Sequence, residues 1–204
     1  MDELEGEHSR QHMKWSLTHN SGKSTLFSAL LKLLDSQSGT ISIDGFDTSI
    51  IPRNLLRSAI IAIPQDPFIL PGPMRFNLDP SGRSTDEVMI SALAKSNLLA
   101  VTTSRGGLDA ELTSSSLSQG EQRLFALAVA LVRKWNKDNG VFNGGGILIL
   151  DEATSGTDAE TDGLIQTIIV EEFTGYTVLH ISHRHGMMRG VDRVVELENG
   201  RIIN

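Results

Sequence analysis

Ile147-Leu148-Ile149-Leu150-Asp151-Glu152 limits the fold of this chain more than any other segment. Four successive apolar residues read as a strand buried on both faces. Two carboxylates then arrive together at the strand's C-terminal end, the edge at which open α/β sheets hold their ligands. Adjacent acids there suit a magnesium nucleotide, one holding the ion and the other orienting or deprotonating a water. Taken alone, the run reads equally well as a buried strand entering a solvated acidic turn.

A second segment favours the nucleotide. Ser21-Gly22-Lys23-Ser24-Thr25 is the back half of the phosphate-loop pattern G-x-x-x-x-G-K-[ST]. Gly22 lets the backbone approach phosphate, Lys23 reaches the β- and γ-phosphates, and the Ser24 hydroxyl suits magnesium. Leu26, Phe27, Leu30, Leu31 and Leu34 follow at helical spacing, so a helix over 22–34 is predicted, its N-terminus favouring an anion. The front half departs from the pattern: Leu17 stands where glycine is wanted, with Thr18-His19-Asn20 behind it. If Leu17 must turn within the loop, a β-carbon at positive φ costs about 1–3 kcal/mol.

With 204 residues the chain is one domain or most of one. The absence of cysteine excludes disulfides and thiolate metal sites. A net charge of −7 argues against nonspecific nucleic-acid binding but does not oppose nucleotide binding, which a few local donors accomplish. No apolar run reaches the roughly 18 residues of a membrane helix. Met1 to Lys14 is polar, lacks the apolar stretch of a signal peptide, and with its neighbours to residue 16 shows no periodicity.

Further elements follow from pattern. Thr40 to Gly45 alternates and reads as a strand ending in a turn. Pro52 suits a first helical position ahead of Leu55, Leu56 and Ala59. Ile60 to Ile63 is a short buried strand stopped by Pro64. Ser84 to Leu99 reads as a helix with Ser84 as cap and Glu87 as its box partner. A helix runs from about Ser118 to Lys134, and Asn136 to Gly146 is a Gly/Asn-rich loop. Strands near 177–181 and 193–197 follow a helix over about 158–170.

Four more segments carry a resemblance: Ile61-Ala62-Ile63-Pro64-Gln65-Asp66-Pro67, Leu117-Ser118-Gln119-Gly120-Glu121, Asp151-Glu152-Ala153-Thr154-Ser155-Gly156-Thr157-Asp158, and His180-Ile181-Ser182-His183-Arg184. In this order, with Gly22-Lys23-Ser24, they resemble the nucleotide-binding domain of ATP-binding-cassette (ABC) proteins, from about Ser21 to Ile203. Pro64 to Pro80, with Arg75-Phe76-Asn77-Leu78-Asp79-Pro80, is similar to the second cassette of the class C, multidrug-resistance-associated transporters, and the Gly-rich approach to the acidic strand is similar to fungal members.

The resemblance implies an α/β P-loop NTPase core with a mostly parallel sheet and a small helical subdomain over about 66–134, within a domain spanning 21–204. It implies that the family's N-terminal antiparallel β subdomain is largely missing and that residues 1–20 are an unrelated or disordered leader. It implies ATP and magnesium as cofactors. By resemblance, Ser21, Gly22, Lys23, Ser24 and Thr25 cradle the phosphates, Ser24, Gln65 and Asp151 serve the metal, Glu152 is general base or water-positioner, and Gln65 and His183 sense and stabilise the γ-phosphate. Leu117, Ser118, Gln119 and Gly120 would bind ATP held by a second cassette. Asp158 lies in the loop that crosses between the two. Simple helix capping by Ser118 is compatible with that role.

Several departures stand out against the family: Glu121 replaces the signature's last Gln, Val129 a later arginine, and no aromatic fills the adenine-stacking place, Trp15 being too close to Gly22 and Tyr176 near the other end. The resemblance thus implies the ATPase part of an exporter, on the cytoplasmic face of a membrane through transmembrane domains outside this chain, with no nucleic-acid partner. Two alternatives remain: a truncated, impaired cassette with a binding or regulatory role, and a soluble non-transport ABC ATPase. The short interval between Gln65 and Ser118, without heptads, rejects the coiled-coil repair type.

Overall fold

The computed structural model describes residues 14–18, 23–35, 38–136, 145–151, 158–181, 191–198 and 201–202; for 14–18, 23, 24, 197, 198 and 202 only the backbone is described. In chain order the strands are β1 (Lys14–Thr18), β2 (Ser42–Ile43), β3 (Phe46–Asp47), β4 (Ile60–Ile63), β5 (Gly72–Pro73), β6 (Glu111–Leu112), β7 (Ile147–Asp151), β8 (Thr177–Ile181), β9 (Arg193–Glu198) and β10 (Arg201–Ile202). The helices are α1 (Lys23–Leu30), α2 (Arg53–Ser58), α3 (Met74–Leu78), α4 (Asp86–Lys95), α5 (Leu99–Ser104), α6 (Gln119–Trp135) and α7 (Ala159–Glu172).

One sheet runs β10-β9-β1-β8-β7-β4. Its five inner and opposite-edge strands are parallel, and β10 adds an antiparallel edge to β9. The two-residue period of a strand splits its side chains between two cores. Ile61, Ile63, Leu148, Leu150 and Val178 face α6 and α7, whose buried stripes include Leu127, Leu131, Ile165 and Ile169. Ile60, Ile147, Ile149 and Ile181 face the other way, onto Phe27 and Leu30 of α1 and Leu56 of α2. The α/β P-loop architecture implied by the resemblance is the one observed.

Residues 14–18 were assigned to the leader, yet they form β1, hydrogen-bonded between β8 and β9. The leader boundary is therefore corrected for these five residues; residues 1–13 lie outside the described residues. Leu17, expected to strain a loop, instead pairs with Ile181 and Val195 in extended backbone, which any residue adopts. Lys14-Trp15-Ser16-Leu17-Thr18 does alternate polar and apolar, but so short an alternation specifies a strand only once β8 and β9 flank it.

Two helix predictions also shift. The helix predicted over 22–34 ends at Leu30, and Lys32 takes φ 51° in the turn that follows. The helix predicted over 84–99 is α4 alone, ending at Lys95; the chain turns at Asn97 with φ 56°, a conformation asparagine tolerates, and α5 begins only at Leu99. The cap of α4 is Thr85, not Ser84. Ser84 is taken by Asp79: its amide and hydroxyl donate to Asp79 Oδ2 at 2.8 and 2.6 Å. Glu87 makes no box with it and bonds Thr85 instead. The alternation at Thr40 to Gly45 becomes one arm of the β2–β3 hairpin, whose Asp44-Gly45 turn has positive φ at both residues.

Candidate functional site

Parallel register decides which chain segments meet. Ile63 lies opposite Leu150, Asp151 opposite Ile181, and Leu17 opposite both Ile181 and Val195. The strands β4, β7, β8 and β1 therefore end side by side at one rim, in that order. Gln65 stands two residues past the end of β4. Asp151 is the last residue of β7, half-buried, with Glu152 next in the chain. His183 comes two residues after β8. Residues 19–22 connect β1 to the first turn of α1, which holds Lys23 and Ser24. Neighbouring strands lie about 4.8 Å apart, so β7 and β1, with β8 between them, are separated by about 10 Å. A triphosphate with its metal spans a gap of that order.

The side chains at the rim are unevenly described. Ser21, Gly22, Glu152 and His183 lie outside the described residues, and Lys23 and Ser24 are described by backbone alone. Thr25 is exposed on α1. The N–H groups at the start of α1 point toward the rim, as a parallel strand–loop–helix unit requires, and offer an anion both dipole and donors. Serine hydroxyls and aspartate carboxylates are hard oxygen donors of the kind magnesium takes.

The signature segment is built separately. Leu117 is buried, and Ser118 is the N-cap of α6. The Glu121 amide donates to Ser118 Oγ at 3.3 Å, while the Ser118 amide donates to Glu121 Oε2 at 2.7 Å. The expected capping by Ser118 is present, as a reciprocal capping box. The S-x-x-E spacing carried that signal, and the reading of the sequence used only its first member. Gln122 Nε2 pins the preceding loop by donating to the carbonyls of Ser114 and Leu117 at 3.0 and 2.9 Å. Gln119 and Gly120 open the helix.

Asp158 caps α7: the amides of Glu160 and Thr161 donate to its Oδ1 at 3.1 and 2.9 Å, and the Thr161 hydroxyl donates to Oδ2 at 2.9 Å. The Thr161 amide and hydroxyl, in that order, hold this carboxyl below the usual range. A β-carbon at Gly120 would stand 3.8 Å from Thr161 Oγ1, so the starts of α6 and α7 touch. Among the described residues the structure thus shows two groupings: the ends of β4, β7, β8 and β1 with Asp151 at the rim, and Ser118–Gly120 with Asp158 by way of Thr161.

Sequence reasoning passed over Asp162 and His180, which share the α7–β8 layer. His180 is 3 % exposed, and burial pushes its pKa down against the opposing pull of Asp162. Tyr176, unsuited by position to stack on adenine, is a core residue whose ring meets Phe173 edge-on at 5.3 Å. A cleft of about 330 Å³ lined by Lys32, Asp35, Asp47 and Arg53 lies at the C-terminal end of α1, the end away from the rim, and belongs to neither grouping.

Residues 19–155 match the family described as ABC transporter. The chain is 38% identical over 183 residues to ABC multidrug transporter B of Aspergillus fumigatus, 43% over 193 residues to ABC-type transporter braE of Annulohypoxylon truncatum, and 40% over 185 residues to mouse ATP-binding cassette sub-family C member 10. Each comparison covers 90% of this chain, and the chain spans 12%, 13% and 12% of those proteins.

Proposed function

The chain belongs to the ABC transporter family, and from that premise we propose that it is the nucleotide-binding cassette of a longer exporter, binding MgATP and hydrolysing it to drive transport. The observation that carries this reading is the gathering of the ends of β4, β7, β8 and β1 at one rim. In the proposed assignment, backbone N–H groups around Gly22 and the Lys23 ammonium hold the β- and γ-phosphates, with Ser21 and Thr25 completing the cradle. Ser24 and Asp151 hold magnesium, with Gln65 beside it. The ion supplies charge neutralisation on the phosphates. Glu152 orients the attacking water and takes its proton. His183 steadies charge on the transferring group.

Leu117 to Gly120 face a second cassette's ATP at the start of α6, and Asp158 lies at the crossing between the two domains. The partners proposed are that second cassette and transmembrane domains elsewhere in the same or an associated chain, with the cassette on the cytoplasmic face. Among the described residues no helix is long and apolar enough to cross a membrane. Phe68, 82 % exposed three residues after Gln65, offers an apolar side chain suited to a membrane-domain contact.

One observation favours a second reading, a cassette that turns over poorly: only residues 19–22 separate β1 from α1, leaving few amides to wrap a phosphate. Measuring MgATP turnover and ATP affinity for the wild type, Glu152→Gln and Lys23→Ala separates the two. The first reading expects turnover to vanish in Glu152→Gln with binding retained, and binding to fall in Lys23→Ala. Turnover that survives Glu152→Gln unchanged defeats the catalytic assignment. ATP bound without turnover by the wild type selects the second reading.

A further inference from the structure

His180 occupies a costly position. Val178 and His180 lie two apart on β8 and so share a face, and Val178, with Tyr176 just before the strand, belongs to the same core cluster as Ile165, Ile168, Ile169 and Phe173. An imidazole 3 % exposed beside such a layer needs a hydrogen-bond partner, yet the buried His180 Nδ1 has none among the described residues. Asp162 presents the complementary atom. It precedes Ile165 by three residues and Ile169 by seven, so it continues the buried stripe of α7 toward the rim end of the helix. Its Oδ2 accepts from Gln166 Nε2 at 3.0 Å, and its buried Oδ1 has no partner among the described residues. A donor-capable nitrogen and an acceptor oxygen thus stand in one α7–β8 layer, and each lacks what the other provides.

We propose that His180 and Asp162 are positioning residues whose side chains turn to meet, Nδ1–H donating to Oδ1 in a buried hydrogen bond that fastens the first turn of α7 to β8. Asp158 caps that same turn, and Thr161 within it touches Gly120 of α6. His180 lies three residues before His183 on the strand that leads to it. The bond therefore links the segment after β7, the start of α6 and the end of β8 within one cassette. The pair stands on the packing alone. Its consequence for turnover rests on the function proposed above.

The test is a double-mutant cycle on the whole 204-residue chain with His180→Leu, Asp162→Ala and the double variant, read by urea denaturation. An unpaired buried nitrogen replaced by an apolar group leaves stability equal or raised, whereas a paired one leaves the carboxylate stranded. The expected result is a loss of about tenfold in the folding constant for His180→Leu when Asp162 is present, and under about threefold when it is alanine. Equal effects in both backgrounds, or stabilisation by His180→Leu, overturn the pair. If His180→Leu fails to fold, His180→Asn and His180→Gln decide instead. The asparagine amide nitrogen stands near Nδ1 and that of glutamine near Nε2, so asparagine is expected to hold stability and glutamine to lose it; the reverse order overturns the pair. In MgATP turnover, His180→Leu is expected to lower kcat several-fold with KM nearly unchanged, with recovery in His180→Asn. An unaltered kcat overturns the positioning role. A coupled stability cycle with no turnover in the wild type leaves the pair standing and rejects the catalytic reading instead.

Discussion

Ser118 and Glu121 close the start of α6 by exchanging hydrogen bonds, amide to carboxylate at 2.7 Å in one direction and amide to hydroxyl at 3.3 Å in the other. Two of the helix's free N–H groups are thereby used inside the chain, and a carboxylate sits where the macrodipole favours negative charge.

Glutamine at position 121 keeps the reciprocal bond and removes the charge, because Glu and Gln both complete the box. Glu121→Gln is thus expected to stay within about 0.5 kcal/mol of the wild type, while Ser118→Ala loses about 1 kcal/mol. If the helix start faces a phosphate of the second cassette's ATP, Glu121→Gln also strengthens ATP-dependent dimerisation, by several-fold, through relief of like-charge repulsion. Urea denaturation checks the first pair of values and sedimentation with ATP the second. Unchanged association in Glu121→Gln argues that no phosphate comes near this carboxylate.

Gly145 adopts φ +88° on the approach to β7, and a β-carbon there would fall 1.7 Å from the Gly175 carbonyl oxygen. The Thr177 amide donates to the neighbouring Gly146 carbonyl at 2.9 Å, so the two backbones are bound at close range and cannot part without loss. Gly145→Ala is expected to cost about 2–4 kcal/mol, the sum of a left-handed alanine and a displaced strand end. A chemical-denaturation midpoint within error of the wild type contradicts this.

What could be read from residue order alone follows from period and run length. The apolar run at 147–150 and the apolar-rich segment at 177–181 were legible as strands, because parallel strands covered on both faces are built from such residues. The strong periodicity of α6 likewise left no rival. β1 was passed over although Lys14-Trp15-Ser16-Leu17-Thr18 alternates polar and apolar; five such residues are a weak local signal, and only pairing with β8 and β9, a tertiary fact, makes them a strand. The turn at Asn97 was hidden for a similar reason, since helical propensity runs through it and left-handed backbone leaves no mark beyond the residue type. At the site, residues named by motif were legible, while His180 and Asp162 were not. Their meaning lies in two elements packing together, which no local spacing records.

Asp79 and His180 give stability two separate dependences on pH. Burial raises the Asp79 pKa, but hydrogen bonds from the hydroxyls and amides of Ser81 and Ser84 outweigh it and hold the carboxyl well below the usual range. Its contribution is complete above the unfolded value of 3.8 and drains away as pH falls below it. For His180 the folded pKa lies below the unfolded 6.5. Above pH 6.5 both states hold it neutral. On acidification below that point the unfolded chain binds a proton the folded chain refuses, and stability declines until the folded pKa is reached. Acid titration of stability is expected to bend first below pH 6.5 and again below 3.8. His180→Asn removes the first bend and Asp79→Asn the second; Asp79→Ala costs about 1.5–3 kcal/mol at neutral pH through the donors it strands. A first bend that persists in His180→Asn assigns it to another group.

Gly120 separates stability from function. It lies in helical backbone, and among the described residues a β-carbon there meets Thr161 alone, with Oγ1 at 3.8 Å and Cγ2 at 4.0 Å, which is ordinary contact. Alanine in a helix is favoured over glycine by about 0.5–1 kcal/mol, so Gly120→Ala is expected to raise stability slightly. A ligand phosphate seated on the first turn of α6 needs close approach to the amides, and an added methyl obstructs it. Under the proposed sandwich the same variant therefore associates less tightly in ATP and turns it over more slowly, while ATP affinity of the single cassette, which the rim residues set, stays as it was. Denaturation, sedimentation and nucleotide binding measured on one preparation decide the matter. A variant that is more stable but unchanged in ATP-dependent association removes the start of α6 from the nucleotide site, whatever the rim is found to bind.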